Sequence, residues 1–371
     1  QQPNLKTSMI SDGQQINRQC HGPPIYVYQL ADGARPSQPT QTLKAQEDAG
    51  VTQTFANFFS NTGLVGCSFG MYGIEVLYER FFLNHPCRVD DPEQAKLFFV
   101  PSFFKCIEAV NYFEKFRADI KEATLLAKEH MRTIREFQGG KYWRRSLGAD
   151  HIFLFSWGRF PCAIDDWRNI FGRSMFLQVE DQCEHLSETI EPTFSPWKDV
   201  IVPGHLDYWR TLELQRHRKP LHERDLLAVF HGRHGGIADS YENVTVRMDL
   251  INAPWANNAD VSIGGFIEGY HELLGRSQYC LCPRGITPWT VCLYQSLVAG
   301  CVPVILSDHF ELPFQWSVPW QEISIRWPES QVADLYDFLK SIPADQQEAM
   351  WQNANAASCA VNYYSLEDEC S

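Results

Sequence analysis

Short apolar runs recur along the whole chain and are separated by longer stretches of mixed polarity. Most runs are rich in β-branched and aromatic residues and end at a proline or a polar turn, as strands buried on both faces of a parallel sheet do. The runs with this pattern cover 25–28, 97–101, 152–155, 200–203, 226–230 and 302–306. Because helical periodicity fills several of the intervals between them, the pattern predicts an α/β fold.

The clearest helix is predicted over 111–138. Apolar residues return there at spacings of three and four, the opposite face is charged, and Gly139 and Gly140 follow the last turn. A basic stretch, 216–224, lies between two predicted strands and favours a domain boundary.

The chain length of 371 residues suits roughly two to three domains with a large core. The first residues are polar and contain proline and glycine, which is typical of a linker. The expected division is a stem over 1–24, an N-terminal α/β unit over 25–215, a C-terminal α/β unit over 216–345 and a tail over 346–371.

Composition narrows the class of protein. Hydrophobic residues make up 44% of the chain and charged residues 21%, which excludes disordered, collagen-like and coiled-coil proteins. The net charge of −13 gives no general attraction for nucleic acid or anionic lipid, so nucleic acid is not expected as a partner. An anionic ligand would therefore need a local cluster of basic groups.

The twelve cysteines are an even number spread over the whole length, a pattern that fits disulfides. The only close pair is Cys280 and Cys282; residues at this spacing share one face of a strand, so core packing is the alternative to a bond. Together with the glycosylation sequon at Asn243, the cysteines favour a secretory compartment. No run is long enough to span a membrane, and we expect any anchor to have preceded the stem and been removed.

The most informative segment is 279–301, where a strand leads into a loop and then into a helix. Thr287 is a good N-cap, Pro288 suits the first helical position and Gly300 suits the position after the helix, so a helix of about twelve residues is predicted. The loop carries Arg284, and an arginine beside a helix N-terminus favours phosphate binding. An ordinary strand-loop-helix junction is the alternative.

A second basic, glycine-rich loop follows the predicted strand 226–230. His231, Arg233 and His234 stand there among three glycines, in a loop where the backbone can approach a ligand closely. A plain turn with exposed basic side chains is the alternative. Two such loops at the carboxyl ends of strands predict a nucleotide or sugar phosphate site, because ligands of open α/β sheets bind there.

The chain resembles the exostosin family of glycosyltransferases over nearly its whole length. The matching segments occur in a fixed order, which makes the resemblance more specific than any one of them. They are Ile25-Tyr26-Val27-Tyr28, Tyr72-Gly73-Ile74-Glu75, 91–101, Tyr142-Trp143-Arg144-Arg145, 148–153, 198–203, 280–301, 303–308 and Glu311-Leu312-Pro313-Phe314.

This resemblance implies a GT-B architecture, in which two Rossmann-like domains face each other across a cleft. The C-terminal half would hold a UDP-sugar donor and the N-terminal half a glycan or glycoprotein acceptor, and the transfer would invert the anomeric centre. Such enzymes typically lie in the Golgi lumen as type II membrane proteins, so a Golgi or secreted location is expected. An exostosin-like partner subunit is a further possibility that the resemblance raises.

The resemblance also assigns roles to individual residues. Arg233 and Arg284 would neutralise the leaving diphosphate, with His231 and His234 beside them and backbone N–H groups from Thr287 to Thr290 behind. No cofactor is expected apart from the donor, and no metal ion, because no Asp-x-Asp motif lies near these loops. The further donor-site candidates, here Gly285, Gln295 and Glu311, come from the same segments.

The acceptor side is less well defined. His205 and Asp207 follow a predicted strand at the end of the N-terminal half and are weak candidates for the base, with surface or capping roles as the alternative. Four tryptophans are candidates for stacking on sugars, although most of the eleven in the chain must be core: Trp157, Trp289, Trp316 and Trp320.

Two departures from the family pattern support a second hypothesis. Gln295 stands where relatives carry a ribose-binding Glu or Asp, and the segment 156–162 lacks a His-Asp pair that many relatives have. A catalytically inactive family member with a structural or partner role in a glycan-building or extracellular assembly is therefore the alternative to an active enzyme.

Overall fold

The computed structural model describes residues 19–28, 67, 70–106, 135–136, 140–158, 160–162, 164, 166–184, 190–234, 245–285 and 288–364. Most of the predicted helix 111–138, the sequon residue Asn243 and Thr287 lie outside the described residues. Within the described part of the chain, no helix combines the length and the apolarity needed to cross a membrane.

Five parallel strands form the first sheet, in the order β1-β2-β3-β4-β7. An antiparallel hairpin, β5–β6, lies between β4 and β7 along the chain. The strand bounds are β1 Ile25–Val27, β2 Leu97–Val100, β3 His151–Phe155, β4 Met175–Gln178, β5 Gln182–Glu184, β6 Ile190–Pro192 and β7 Val200–Ile201. The four apolar runs of the N-terminal half are confirmed as strands, while β4 was not predicted.

Neighbouring residues of each strand face opposite sides of this sheet, and both sides are buried. Phe98 and Phe153 pack on one face, whereas Phe99 and Ile152 pack on the other. Buried residues of α2 and α3 cover the first face and those of α1 cover the second. These helices are α1 Ile74–Leu83, α2 Lys141–Ser146 and α3 Trp167–Phe171.

The second sheet is also parallel and has the order β12-β11-β10-β8-β9. Its strands are β8 Leu226–His231, β9 Val261–Gly264, β10 Ser277–Pro283, β11 Val302–Leu306 and β12 Ile325–Arg326. Tyr279 pairs with Ala228 on one side and Val302 on the other, which puts β10 at the centre. Two α/β halves result, and the predicted fold class, GT-B with two Rossmann-like domains, is confirmed.

Seven helices are described in the second half. One face of the sheet is covered by α4, α6, α7, α8 and α10, and the other by α5 and α9. Their bounds are α4 Tyr208–His217, α5 Val246–Ile251, α6 Tyr270–Arg276, α7 Cys292–Val298, α8 Trp320–Ile323, α9 Leu335–Ser341 and α10 Ala344–Ala357.

The chain passes from the first core to the second between Val202 and Leu206, which pack in the first and the second core respectively. It returns near its end, because Tyr363 packs against the first core and donates a hydrogen bond from its hydroxyl to the Pro203 carbonyl at 2.8 Å. A third link is the bond from Phe314 N to Ile201 O at 3.0 Å. The two halves are thus joined at the end of β7.

Helix α7 is shorter than predicted. It begins at Cys292, and the hydroxyl of Thr290 accepts the hydrogen bond from the Cys292 N–H at 3.3 Å. Pro288 and Trp289 precede the helix because the indole of Trp289 packs into both cores, and this tertiary contact overrides the local capping signal. Gly300 follows the helix with a φ of +69°, as its predicted position requires.

Disulfides are confirmed, and they answer the question left open for Cys280 and Cys282. Both face α7: Cys280 bonds Cys301 just after the helix, and Cys282 bonds Cys292 at its first residue. The remaining described bonds join Cys20 to Cys87 and Cys67 to Cys106, and the sulfurs of Cys162 and Cys359 are also disulfide-bonded. Helix α7 is therefore attached to the central strand at both of its ends.

We expect the double variant C280A/C301A to lose about 3 kcal/mol of unfolding free energy, because a closed loop of about twenty residues is opened. The measurement is urea unfolding with hydrogen exchange of the 292–298 peptide, which should speed up. The control C20A/C87A removes a bond of the first half and should leave exchange of that peptide unchanged. If the 292–298 peptide exchanged equally fast in the unaltered protein and in both double variants, the Cys280–Cys301 bond would not hold α7 in place.

Candidate functional site

The strand order of the second sheet reverses between β8 and β10. After β8 the chain moves outward to the edge strand β9, and it then crosses back to place β10 on the other side of β8. Such a switch point opens a crevice at the carboxyl ends of the two strands, where ligands of open parallel sheets bind. The predicted basic loops follow these two strands, so the fold brings them together.

Arg247 joins the two loops. Its guanidinium donates from Nη1 to the Arg233 carbonyl at 2.9 Å, from Nε to the Arg284 carbonyl at 2.9 Å and from Nη2 to the Pro283 carbonyl at 3.4 Å. The side chain comes from the first turn of α5 and also lies over the ring of Phe230. The sequence analysis gave Arg247 no role, because its partners are backbone oxygens that leave no residue pattern.

The Arg284 side chain is oriented by an acidic residue from the segment that follows β12. Its Nε lies 3.2 Å from Glu329 Oε2, and both side chains are about one-fifth exposed. Glu329 is fixed in turn by Asp308, since Asp308 N donates to Glu329 Oε1 and Glu329 N donates to Asp308 Oδ1, both at 3.0 Å. The sequence analysis missed Glu329 and this pairing.

The other residues of the β8 loop have distinct surroundings. His231 is committed to β9, with its Nδ1 2.8 Å from Gly265 O and its Nε2 2.8 Å from Ser262 Oγ. His234 makes one bond, between Nδ1 and Gly232 O at 3.2 Å, and its ring packs against the backbone of Gly265. The Arg233 side chain is exposed. His231 therefore holds the loop, and the ligand-binding role of Arg233 and His234 stays a prediction.

The remaining donor-site candidates are spread along the same edge. Gly285 follows Arg284 in the loop, Thr290 caps α7, and Glu311 lies in the segment after β11. Gln295 lies in the middle of α7 and is 7% exposed, so the helix packing leaves only a small part of it open. Thr287 lies outside the described residues.

His205 lies at the joint between the halves and is fully buried. Its Nδ1 is 2.5 Å from Gly70 O, and because a carbonyl only accepts, Nδ1 carries the proton. Its Nε2 then accepts from the Tyr364 hydroxyl at 2.8 Å. Burial lowers the pKa of His205, which favours the neutral ring. Both nitrogens are engaged in the joint.

Asp207 caps α4, because its Oδ1 accepts from Arg210 N at 2.9 Å. The same carboxylate pairs with the Arg210 side chain at 3.7 Å. The structure thus gives both base candidates of the sequence analysis a structural function, and their catalytic role stays a prediction.

The four candidate tryptophans occupy different environments. Trp289 fills the space beside Gly204, where a Cβ would come within 2.4 Å of the indole, so this glycine permits the close contact between the halves. Trp157 lies under the Lys105 ammonium, 3.5 Å from it. Trp320 is buried and donates to Pro313 O at 2.7 Å, while Trp316 is 81% exposed.

The described residues contain no cluster of three or more His, Cys, Asp or Glu side chains arranged to hold a metal ion. The groups that meet at the switch point are instead arginine and histidine side chains with one carboxylate. Such a site suits a bound anion.

Comparison with known proteins identifies the relatives of this chain. The family model for the exostosin GT47 domain matches residues 19–342. A probable glucuronosyltransferase of Oryza sativa subsp. japonica is 28% identical over 317 residues, covering 80% of this chain and 70% of the relative. A probable glucuronoxylan glucuronosyltransferase of Arabidopsis thaliana is 25% identical, covering 95% and 72%. A probable beta-1,4-xylosyltransferase of the same plant is 27% identical, covering 75% and 66%.

Solved structures give more distant matches. Anabaena HepE in complex with UDP-glucose aligns with a TM-score of 0.38 and 9% identity, covering 76% of this chain and 84% of that one. A glycosyltransferase from Rickettsia africae aligns with a TM-score of 0.38 and 12% identity, covering 79% and 91%. At these scores no residue role is transferred from either structure.

We expect H205A to lower the free energy of unfolding by about 3 kcal/mol, because it removes two buried hydrogen bonds and leaves Gly70 O and the Tyr364 hydroxyl without them. His205 has a lowered pKa in the folded state, so its contribution is complete above the unfolded pKa of about 6.5 and is lost as the pH falls. Denaturant unfolding between pH 7.5 and pH 5 should therefore show a shallower acid decline in H205A. If H205A had the same free energy of unfolding as the unaltered protein at both pH values, His205 would not stabilise the joint.

R247K should loosen both basic loops, because one ammonium cannot reach the three carbonyls that the guanidinium joins. Hydrogen exchange of peptides covering 231–234 and 283–285 should speed up together, and the free energy of unfolding should fall by about 2 kcal/mol. R173K, at an exposed arginine of the first half, is the matched control. Faster exchange in only one of the two peptides would show that Arg247 does not couple the loops.

Proposed function

Because the chain belongs to the exostosin GT47 family of glycosyltransferases, we propose that it transfers a sugar from a UDP-sugar to a glycan or glycoprotein acceptor with inversion of the anomeric centre. The observation that carries the proposal is the pair of basic loops at the switch point of the second sheet, joined by Arg247. In a chain with a net charge of −13, this concentration of cationic groups is a local exception that an anionic ligand explains.

In this proposal the second half binds the donor. Arg233 and Arg284 contact the diphosphate, His234 adds a further donor, and Glu329 keeps the Arg284 guanidinium in place. As the bond between the anomeric carbon and the diphosphate breaks, negative charge grows on the leaving oxygen, and the preorganised guanidinium groups stabilise it. These arginines supply the compensating charge, so we propose that no divalent cation is required.

The relatives suggest which substrates to try first. Their names specify glucuronosyl and xylosyl transfer, and one of them specifies glucuronoxylan. UDP-glucuronate and UDP-xylose are therefore the first donors for this chain, and xylo-oligosaccharides are the first acceptors.

The disulfides support a compartment of the secretory pathway, and we propose the Golgi lumen or the extracellular space. A membrane anchor outside this sequence and an exostosin-like partner subunit belong to the same proposal.

The experiment is thermal unfolding with UDP, with GDP and without ligand, each in EDTA and in Mn²⁺. A ligand that binds only the native state adds about 2.7 kcal/mol at one hundred times its Kd, so UDP should raise Tm in EDTA and GDP should raise it less. A shift that needs Mn²⁺ would contradict metal independence. No shift with millimolar UDP would favour the inactive subunit, with Gln295→Glu as the variant that restores binding.

R284A should weaken UDP binding about tenfold or more, because it removes a charge-assisted contact to the diphosphate. Isothermal titration with UDP measures the change. The matched control is R276A, which removes the arginine at the last residue of α6, just before the start of β10, where it pairs with Asp225. Equal UDP affinities in the two variants would show that the binding site lies elsewhere.

A further inference from the structure

We propose that Asp181 is the catalytic base of the transfer, an inference that rests on the function proposed above. Its carboxylate would take the proton of the acceptor hydroxyl from the side of the first half, while the arginines of the second half hold the leaving diphosphate. The sequence analysis did not consider this residue. The proposal stands on its position, its neighbours and the commitments of the other carboxylates.

Asp181 lies three residues beyond the end of β4, at the carboxyl edge of the first sheet. Its main chain is fixed, because its carbonyl accepts hydrogen bonds from Thr193 N and Phe194 N, both at 3.0 Å. The carboxylate therefore projects from a rigid backbone and not from the end of a long loop, as a group that must meet a substrate at a fixed distance requires.

The charged groups that act on Asp181 come from the second half. They are His309 and Glu311, in the segment after β11, and Arg326, at the end of β12. Arg326 donates to the Phe310 carbonyl, which ties β12 to that segment. The same segment is connected to the donor site, because Asp308 and Glu329 hold each other and Glu329 pairs with Arg284. Asp181 is thus close enough to the second half for the charges of that half to act on it.

The surroundings raise the pKa of Asp181, which makes its carboxylate a stronger base. Burial raises its pKa to about 6, and the negative charge of Glu311 adds to the effect, while His309 and Arg326 act in the opposite direction. A carboxylate with this pKa is ionised at neutral pH but accepts a proton more readily than an ordinary aspartate.

One oxygen of Asp181 is uncommitted. Oδ1 is buried and has no hydrogen-bond partner among the residues that the structure describes. A buried carboxylate oxygen without a donor is costly, so a ligand that supplies a hydrogen bond to it is stabilised there. A sugar hydroxyl is such a donor.

Three other carboxylates near the carboxyl edge of the first sheet are held by hydrogen bonds or buried in the fold. Glu75 accepts from Lys105 N at 3.2 Å, from Cys106 N at 2.9 Å and from Ser156 Oγ at 2.7 Å, which binds the ends of β2 and β3 together. Glu180 is 3% exposed and packs directly against Gly158. Asp207 caps α4, as described above.

A cavity of 630 Å³ in the second half lies next to the segment whose charges act on Asp181, and it provides room for an acceptor sugar. Two of the groups that act on Asp181, Glu311 and Arg326, line it, together with Gln315, Trp320 and Gln321. This volume lies within the usual range of small-molecule sites, and carboxylate, amide and indole groups are suited to sugar hydroxyls and ring faces.

The step is balanced without another reactant. The acceptor oxygen forms a bond to the anomeric carbon as its proton passes to the Asp181 carboxylate. The bond from that carbon to the diphosphate breaks, and its electron pair leaves with UDP. Attack from the face opposite the leaving group inverts the configuration.

The test compares D181N and D181A with D90N, which removes an exposed aspartate of the first half. With the donor and acceptor that the unaltered protein uses best, D181N should lower kcat by about 10² to 10⁴-fold, the usual contribution of a general base. UDP should stabilise D181N as much as the unaltered protein, and D90N should keep full activity. This pattern separates loss of the base from loss of the donor site.

Two further readouts distinguish a base from a structural residue. In the unaltered protein, kcat/KM should rise with pH through the pKa of Asp181, because only the ionised carboxylate accepts a proton, and D181N should lack this rise. Azide needs no deprotonation to attack the anomeric carbon, so it should restore UDP release in D181A, with a glycosyl azide as the product.

Each alternative outcome has its own meaning. If D181N transfers sugar within about fivefold of the unaltered protein, or if D207N loses activity in its place, Asp181 is not the base. If D181N no longer responds to UDP or unfolds at a much lower temperature, its role is structural and the inference is overturned. If the unaltered protein neither binds UDP nor releases it from any UDP-sugar, the proposed function itself fails.

Discussion

The joint at the end of β7 is the constraint on which the site depends. Within a few residues the chain leaves the first core, and the indole of Trp289 packs beside Gly204. Tyr363 and Tyr364, at the end of the described chain, form hydrogen bonds there with Pro203 and His205. These contacts are buried, and burial lowers the pKa of His205, which favours its neutral ring. Because both sheets present their carboxyl ends to the cleft, the joint sets the distance over which groups from the two halves can act on one substrate.

The basic loops at the switch point are organised by backbone oxygens more than by side-chain pairs. Arg247 joins three carbonyls from two loops, and the Glu329–Asp308 pair orients Arg284 from the segments that follow β12 and β11. The positions of Arg233 and Arg284 are therefore set before a ligand arrives. Preorganisation of this kind matters where charge develops during a reaction, because the protein need not reorganise at that moment.

The sequence predicted the sheet positions well and the contacts between distant segments poorly. Apolar runs identified the strands that are buried on both faces, whereas β4, β9 and β12 were not predicted because each contains residues that are half-buried or exposed. The predicted start of α7 was wrong because contacts at the joint, and not local capping, determine the position of Trp289. The two basic loops were found, but the residues that position them, Arg247 and Glu329, were not, since strand order and backbone contacts leave no local pattern.

In the proposed function the two halves have different electrostatic tasks. The net charge of the chain is −13, so an anionic nucleotide would be attracted only where the switch point collects arginines. A carboxylate close to those arginines would be held fully ionised and would be a poor base. Asp181 follows a strand of the other sheet, where burial and the charge of Glu311 raise its pKa. If Asp181 is the base, as we propose, this arrangement lets leaving-group stabilisation and proton removal occur near one another without the first weakening the second.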